Sequence, residues 1–124
     1  MKNWAGKRYW LVGASEGLGR ALAQEMSAAG AELVLSARNT ERLAVLAASL
    51  PGPASVVAVD IADHDSVQAA AQAAGDLDGV VFLAGVYWPM ASQNWQAVQA
   101  ETMADINFTG AVRVMGAVVP AMVA

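Results

Sequence analysis

Four short apolar runs, each closed by glycine, proline or charge, alternate along the chain with stretches of helical period. Tyr9, Trp10, Leu11 and Val12 form the first run, long enough for one buried strand. A helix is predicted over 18–29, with Leu18, Leu22, Met26 and Ala29 on one face and Arg20, Gln24 and Ser27 on another, ended by Gly30. Leu33-Val34-Leu35 centres a second strand over 32–37. Arg38-Asn39-Thr40 turns the chain, Asn39 or Thr40 being able to cap a helix over 41–50 that Pro51-Gly52-Pro53 terminates. A β-branched third strand spans 55–59, with Asp60 at its end, and an alanine-rich helix capped from within 63–66 runs to about Ala74. A fourth strand covers 80–84. Beyond the loop at 85–92, helices are predicted over 94–104 and 106–124, the second with Val112, Met115, Val119 and Met122 at helical spacing.

Strands that alternate with helices imply right-handed crossovers and a parallel sheet covered on both faces. The expected fold is α/β: a Rossmann-like, doubly wound parallel sheet forming one domain over 1–124, with four strands buried on both faces and a crevice between the first and fourth. The first strand breaks at Gly13, and Gly17 and Gly19 follow just where a helix opens. Unpaired N–H groups at a helix start attract an anion, and glycines let a pyrophosphate approach the backbone.

Composition narrows the function classes. The 124 residues are 56% hydrophobic and 15% charged, with mean hydropathy +0.40. A net charge of -4, with no basic run beyond Lys7-Arg8, argues against nucleic-acid binding. Absence of cysteine removes disulfide, thiolate-metal and thiol chemistry and is compatible with a cytoplasmic setting. The start has no signal-peptide pattern. No membrane span is expected, because the apolar runs 80–91 and 114–124 are short and contain Pro89 and Pro120.

The turn Gly13-Ala14-Ser15-Glu16-Gly17-Leu18-Gly19 resembles the cofactor turn of the short-chain dehydrogenase/reductase family. Arg38, Asp60-Ile61, Ala84-Gly85 and Asn107 follow at that family's intervals, so the resemblance spans about residues 6–124. It implies a nicotinamide dinucleotide cofactor on these residues and hydride transfer to or from a carbonyl or alcohol substrate. Dinucleotide sites that prefer NAD place an acid at the end of the second strand, whereas an arginine accommodates a 2′-phosphate. Ala37 followed by Arg38 therefore points to NADP(H), with NAD(H) as the alternative; Ser15 and Asn39 are candidate hydrogen-bond donors, and Glu16 opposes a phosphate. By resemblance Asp60 meets the adenine, while Asn107, whose carbonyl in the family holds a water leading to the catalytic lysine, belongs to the catalytic apparatus. The family's Asn-Asn-Ala-Gly is Phe82-Leu83-Ala84-Gly85 here, which removes two amides that tie the fourth strand to its neighbours.

Other residues carry plainer readings. His64 is expected as a solvated side chain in a helix cap and Asp105 at the surface, while Met103, Met115 and Met122 are read as core filler and Trp88 and Trp95 as loop packing or a substrate wall. The family's acid–base pair, Tyr-x-x-x-Lys, has no counterpart: Gly13 stands four residues after Tyr9 and Ala91 four after Tyr87, and the lysines are Lys2 and Lys7. The resemblance thus implies the cofactor-binding front half of a reductase, stopping inside the helix that carries Asn107 and inactive alone; the alternative is a non-catalytic NAD(P)-binding or sensing module. Self-association is expected from an unpaired fourth-strand edge or from the last helix.

Overall fold

The computed structural model describes residues 3–124. Strands β1 (Arg8–Val12), β2 (Glu32–Ala37), β3 (Ala54–Ala58) and β4 (Gly79–Phe82) form one parallel sheet in the order β3-β2-β1-β4. Helices α1 (Gly17–Ala28), α2 (Thr40–Ser49) and α3 (His64–Ala74) make the crossovers, and α4 (Ala97–Ala104) and α5 (Gly110–Val123) follow β4. In register, Leu11 lies beside Leu35 of β2 and Val81 of β4.

Alternation along the strands divides the core into two layers. Leu11, Leu33 and Leu35 face α1 and α2, meeting Ala23, Met26, Leu43 and Leu46. Trp10, Val12 and Val34 face the other way, meeting Val67 and Ala70 of α3 and Val114 and Val118 of α5. Trp10 is fully buried, so its indole N–H needs a partner; Nε1 donates to Ser36 Oγ at 2.8 Å. Arg8 secures the far end of the sheet, pairing with Glu32 and donating from Nη2 to the Ala74 carbonyl at 2.7 Å.

Several expectations change. Leu18 is 73% exposed, because α1 presents Gly19, Ala23, Met26 and Ser27 to the sheet; Ser27, read as polar-face, accepts from the Gly52 N–H at 3.0 Å. Burial on both faces holds for the β1–β2 centre, whereas β3 and β4, as the sheet's edges among the described residues, are only partly covered.

The largest change is at the last two helices. A five-residue π-helical turn, Asp105–Thr109, joins α4 to α5 without a break, and Pro120 sits inside α5 without ending it. The resulting helix, Ala97–Val123, is by length and composition long and apolar enough to cross a membrane, a test that the core helix of a soluble protein also passes. Within the fold it packs Val114 and Val118 against the sheet. The stripe Val112, Met115, Val119 and Met122 points outward instead, and Met115, at 53% exposed, is no core filler.

The Trp10–Ser36 bond generates a direct test. Ser36→Ala leaves a buried indole N–H without a partner and is expected to cost about 1–3 kcal/mol. Urea denaturation reads this as a lower midpoint at unchanged slope; an unchanged midpoint contradicts it.

Candidate cofactor site

At the end of β1 the chain leaves the sheet through a gap between β2 and β4. The Gly13 N–H donates to the Ser36 carbonyl at 2.8 Å, and the Leu83 N–H donates to the Val12 carbonyl at 2.8 Å. A Cβ at Gly13 would lie 2.5 Å from the Ala84 nitrogen, and the φ of +99° is one that other residues resist. A side chain at Gly19 would run into the Gly13 carbonyl oxygen. The glycines are therefore required by backbone meeting backbone. Glu16 is the N-cap of α1 in extended conformation, yet its carboxylate makes no capping bond and α1 has no acid in its first turn. The N–H groups at the start of α1 stay open to an anion.

Beside this turn lies a cavity of about 570 Å³ across the carboxyl ends of the strands. Of the sequence-derived candidates, Gly13, Ser15, Glu16, Arg38, Asn39, Asp60, Ile61, Ala84 and Gly85 line it. Gly17, Leu18 and Gly19 form the opening of α1 rather than the cavity wall. Arg38 is exposed on the rim and, among the described residues, meets no carboxylate. Asn39 is the cap of α2: its Oδ1 accepts from the N–H groups of Glu41 at 3.1 Å and Arg42 at 3.3 Å, leaving the amide nitrogen as its donor. Asp60 Oδ1 accepts from the Ala62 N–H at 3.0 Å, the turn-forming role an aspartate takes after a strand. Trp88 lines the cavity, whereas Trp95 stands outside it, 65% exposed. Met103 serves the loop after β4, its sulfur accepting from the Trp88 N–H at 3.2 Å.

Asn107 lies behind that loop and holds it. Its Nδ2 donates to the Val86 carbonyl and its Oδ1 accepts from the Val86 N–H, both at 2.8 Å, and Gly85 leaves room for the amide. An asparagine unfavourable in a regular helix is accommodated here in the π turn, with its side chain spent on a neighbouring loop. Asp105, expected at the surface, keeps a side chain 39% exposed and is ion-paired there: Arg113 donates to its Oδ1 at 2.7 Å and Oδ2 at 3.1 Å, and to the Ile61 carbonyl at 2.8 Å. Hydrogen bonding from Arg113 holds the Asp105 carboxyl below its ordinary 3.8 against an opposing desolvation, and the same bond raises Arg113.

The family model for short chain dehydrogenases matches residues 7–124. This chain belongs to that family. The sulfoacetaldehyde reductase of Chromohalobacter salexigens is 36% identical over 121 residues, covering 92% of this chain and 48% of the relative. A short-chain type dehydrogenase/reductase from Mycobacterium marinum superposes with a TM-score of 0.92 at 29% identity, over 98% of this chain and 52% of that one. The Pseudomonas aeruginosa RhlG/NADP active-site complex does so with a TM-score of 0.90 at 27% identity, over 97% and 50%. This short-chain dehydrogenase chain thus spans about half the length of the relatives it matches.

One rim residue escaped the sequence reading of this short-chain dehydrogenase. Arg42 lines the cavity and its Nη1 donates to Glu16 Oε2 at 2.5 Å. It stands in the first turn of α2 after the Asn39 cap, and what marks it out is the pair with Glu16.

The Arg113 clamp has a pH signature. A carboxyl lowered in the folded state stabilises the fold above its unfolded value and loses that contribution as pH falls below it. The stability gap between the parent and Arg113→Gln is therefore expected to be full at pH 6 and to narrow below about pH 4. Urea midpoints at pH 6 and pH 3 measure it, and a gap that does not narrow contradicts the clamp.

Proposed function

We propose that this chain is the cofactor-binding part of an NADP(H)-preferring short-chain oxidoreductase that moves hydride between a nicotinamide and a carbonyl or alcohol carbon. The observation that carries the reading is the cavity whose wall joins the glycine turn to Arg38, a rim guanidinium with no carboxylate partner among the described residues, next to Ala37 where an NAD site would place an acid. The NADP complex among the structural neighbours supports the cofactor class, and reductases among the relatives support the reaction class.

The residues present fit such a group. Gly13 and Gly19 keep the turn free of side chains, the start of α1 offers N–H groups to a diphosphate, and Arg38 offers a fork to a 2′-phosphate. Asp60 and Ile61 are assigned to the adenine side, and Ala84 and Gly85 to the nicotinamide ribose, with Asn107 holding the adjoining loop. When bound, the nicotinamide supplies the hydride chemistry; the protein binds and orients it. These 124 residues contain no Tyr-x-x-x-Lys, so by themselves they are expected to bind without turnover; a non-catalytic NAD(P)-binding module is the second reading.

Tryptophan fluorescence, with Trp88 in the cavity, reports binding. NADPH is expected to bind more tightly than NADH, and Arg38→Gln to remove about 1.5–3 kcal/mol of that preference, the worth of a charged hydrogen bond. Equal affinities in the parent chain, or NADH binding the tighter, overturn the preference. Steady NADPH oxidation with a carbonyl substrate overturns the inactivity.

A further inference from the structure

Glu16 stands where its charge should oppose a 2′-phosphate. It shares the cavity wall with Arg38, Asn39 and Arg42, and as N-cap of α1 its carboxylate is not spent on the helix. A phosphate monoester carries nearly two negative charges at neutral pH, so a bare carboxylate on that wall would repel it. The fold supplies a compensation from 26 positions along the chain: the Arg42 guanidinium on Glu16 Oε2. Asn39 fixes the geometry, because its Oδ1 accepts the Arg42 N–H and so sets the first turn of α2, and with it the Arg42 stem, beside Arg38.

The two side chains remain 58% and 75% exposed. An ion pair so open to water is weak, and its arginine can exchange one anion for another at little cost. Arg38, Arg42 and Glu16 together present one net positive charge to the rim. Of the two guanidinium groups, only that of Arg42 is masked when no anion is present.

We propose that Arg42 is a second specificity-determining residue for the cofactor's 2′-phosphate and that Glu16 is its internal counter-anion. Glu16 holds Arg42 at the rim until a phosphate displaces it, and Arg42 in turn keeps Glu16 from repelling that phosphate. The inference rests on the NADP(H) reading, which stands on Arg38. It predicts opposite effects at the two positions. Glutamine at 16 frees Arg42 and adds positive charge at the rim; glutamine at 42 exposes Glu16 and removes it; glutamine at both restores the starting balance. A bond that only pinned α1 to α2 would behave differently. Breaking it from either side would shift affinity in one direction, and ligands with or without the 2′-phosphate would respond alike.

Calorimetric titration of the full chain with adenosine 2′,5′-bisphosphate and adenosine 5′-monophosphate separates these cases. For the bisphosphate, Glu16→Gln is expected to tighten binding by about three- to fivefold and Arg42→Gln to weaken it by as much, the scale of one exposed charge pair. The double variant is expected to return close to the parent, and the monophosphate to change less than about twofold throughout. A parent chain that binds neither probe, or both equally, overturns the NADP(H) reading and this inference with it. A parent that prefers the bisphosphate while both single variants leave that preference unchanged, or move it the same way, overturns this inference alone.

Discussion

At Gly13 backbone presses against backbone, and the geometry of the site follows from that contact. β1 lies between β2 and β4, so its carboxyl end leaves the sheet between the Ser36 carbonyl and the Ala84 amide. No side chain fits in that gap. Gly19 repeats the constraint one turn later, where α1 comes down on the Gly13 carbonyl. Close approach on both counts brings the start of α1, with its unpaired N–H groups, against the cavity that β1 and β4 open. The apolar centre of the sheet, with Trp10, Leu11, Val34 and Leu35 fully buried, supplies the rigid base on which these loops stand.

Two loops bordering the cavity are tied to one long helix. Arg113 reaches from α5 to the Ile61 carbonyl, beyond β3, and to Asp105 at the start of the π turn. Two residues further on, Asn107 grips Val86, beyond β4. The loop after β3 and the loop after β4 are thereby connected through polar contacts within eight residues of helix. Asn107, which makes the second of these ties, lies within the π turn. Three charged side chains, Arg38, Glu16 and Arg42, share the cavity wall.

Much of the fold was readable from residue order. The second strand falls at 32–37 as its apolar centre and flanks indicate, and Asn39 caps α2 because an amide oxygen placed just before a helix meets the free N–H groups of its first turn. Nine of the proposed site residues line one cavity because strand ends and helix starts are marked by glycine, proline and small polar residues. What periodicity does not reveal is which of two apolar stripes faces the sheet. On α5, Val114 and Val118 turn inward, while Val112, Met115, Val119 and Met122, equally regular, turn outward. Nor does local sequence mark a π turn, so one helix read as two, and the membrane-length apolar span it forms went unseen. Arg42 was missed for a related reason: its importance lies in an ion pair with Glu16 made across 26 residues, which spacing alone does not display.

The central claim is that a dinucleotide lies across the carboxyl ends of the strands with its 2′-phosphate toward Arg38. Amide chemical-shift mapping of the isotope-labelled chain during titration with NADPH tests it most directly. The account predicts the largest shifts at Ser15–Gly19, Arg38–Arg42, Asp60–Ile61 and Ala84–Val86, with those at Arg38–Arg42 much reduced when NADH replaces NADPH. Shifts concentrated instead in the groove between α3 and α5, around Gln72, Leu77 and Ala121, or no saturable shifts at all, would contradict it.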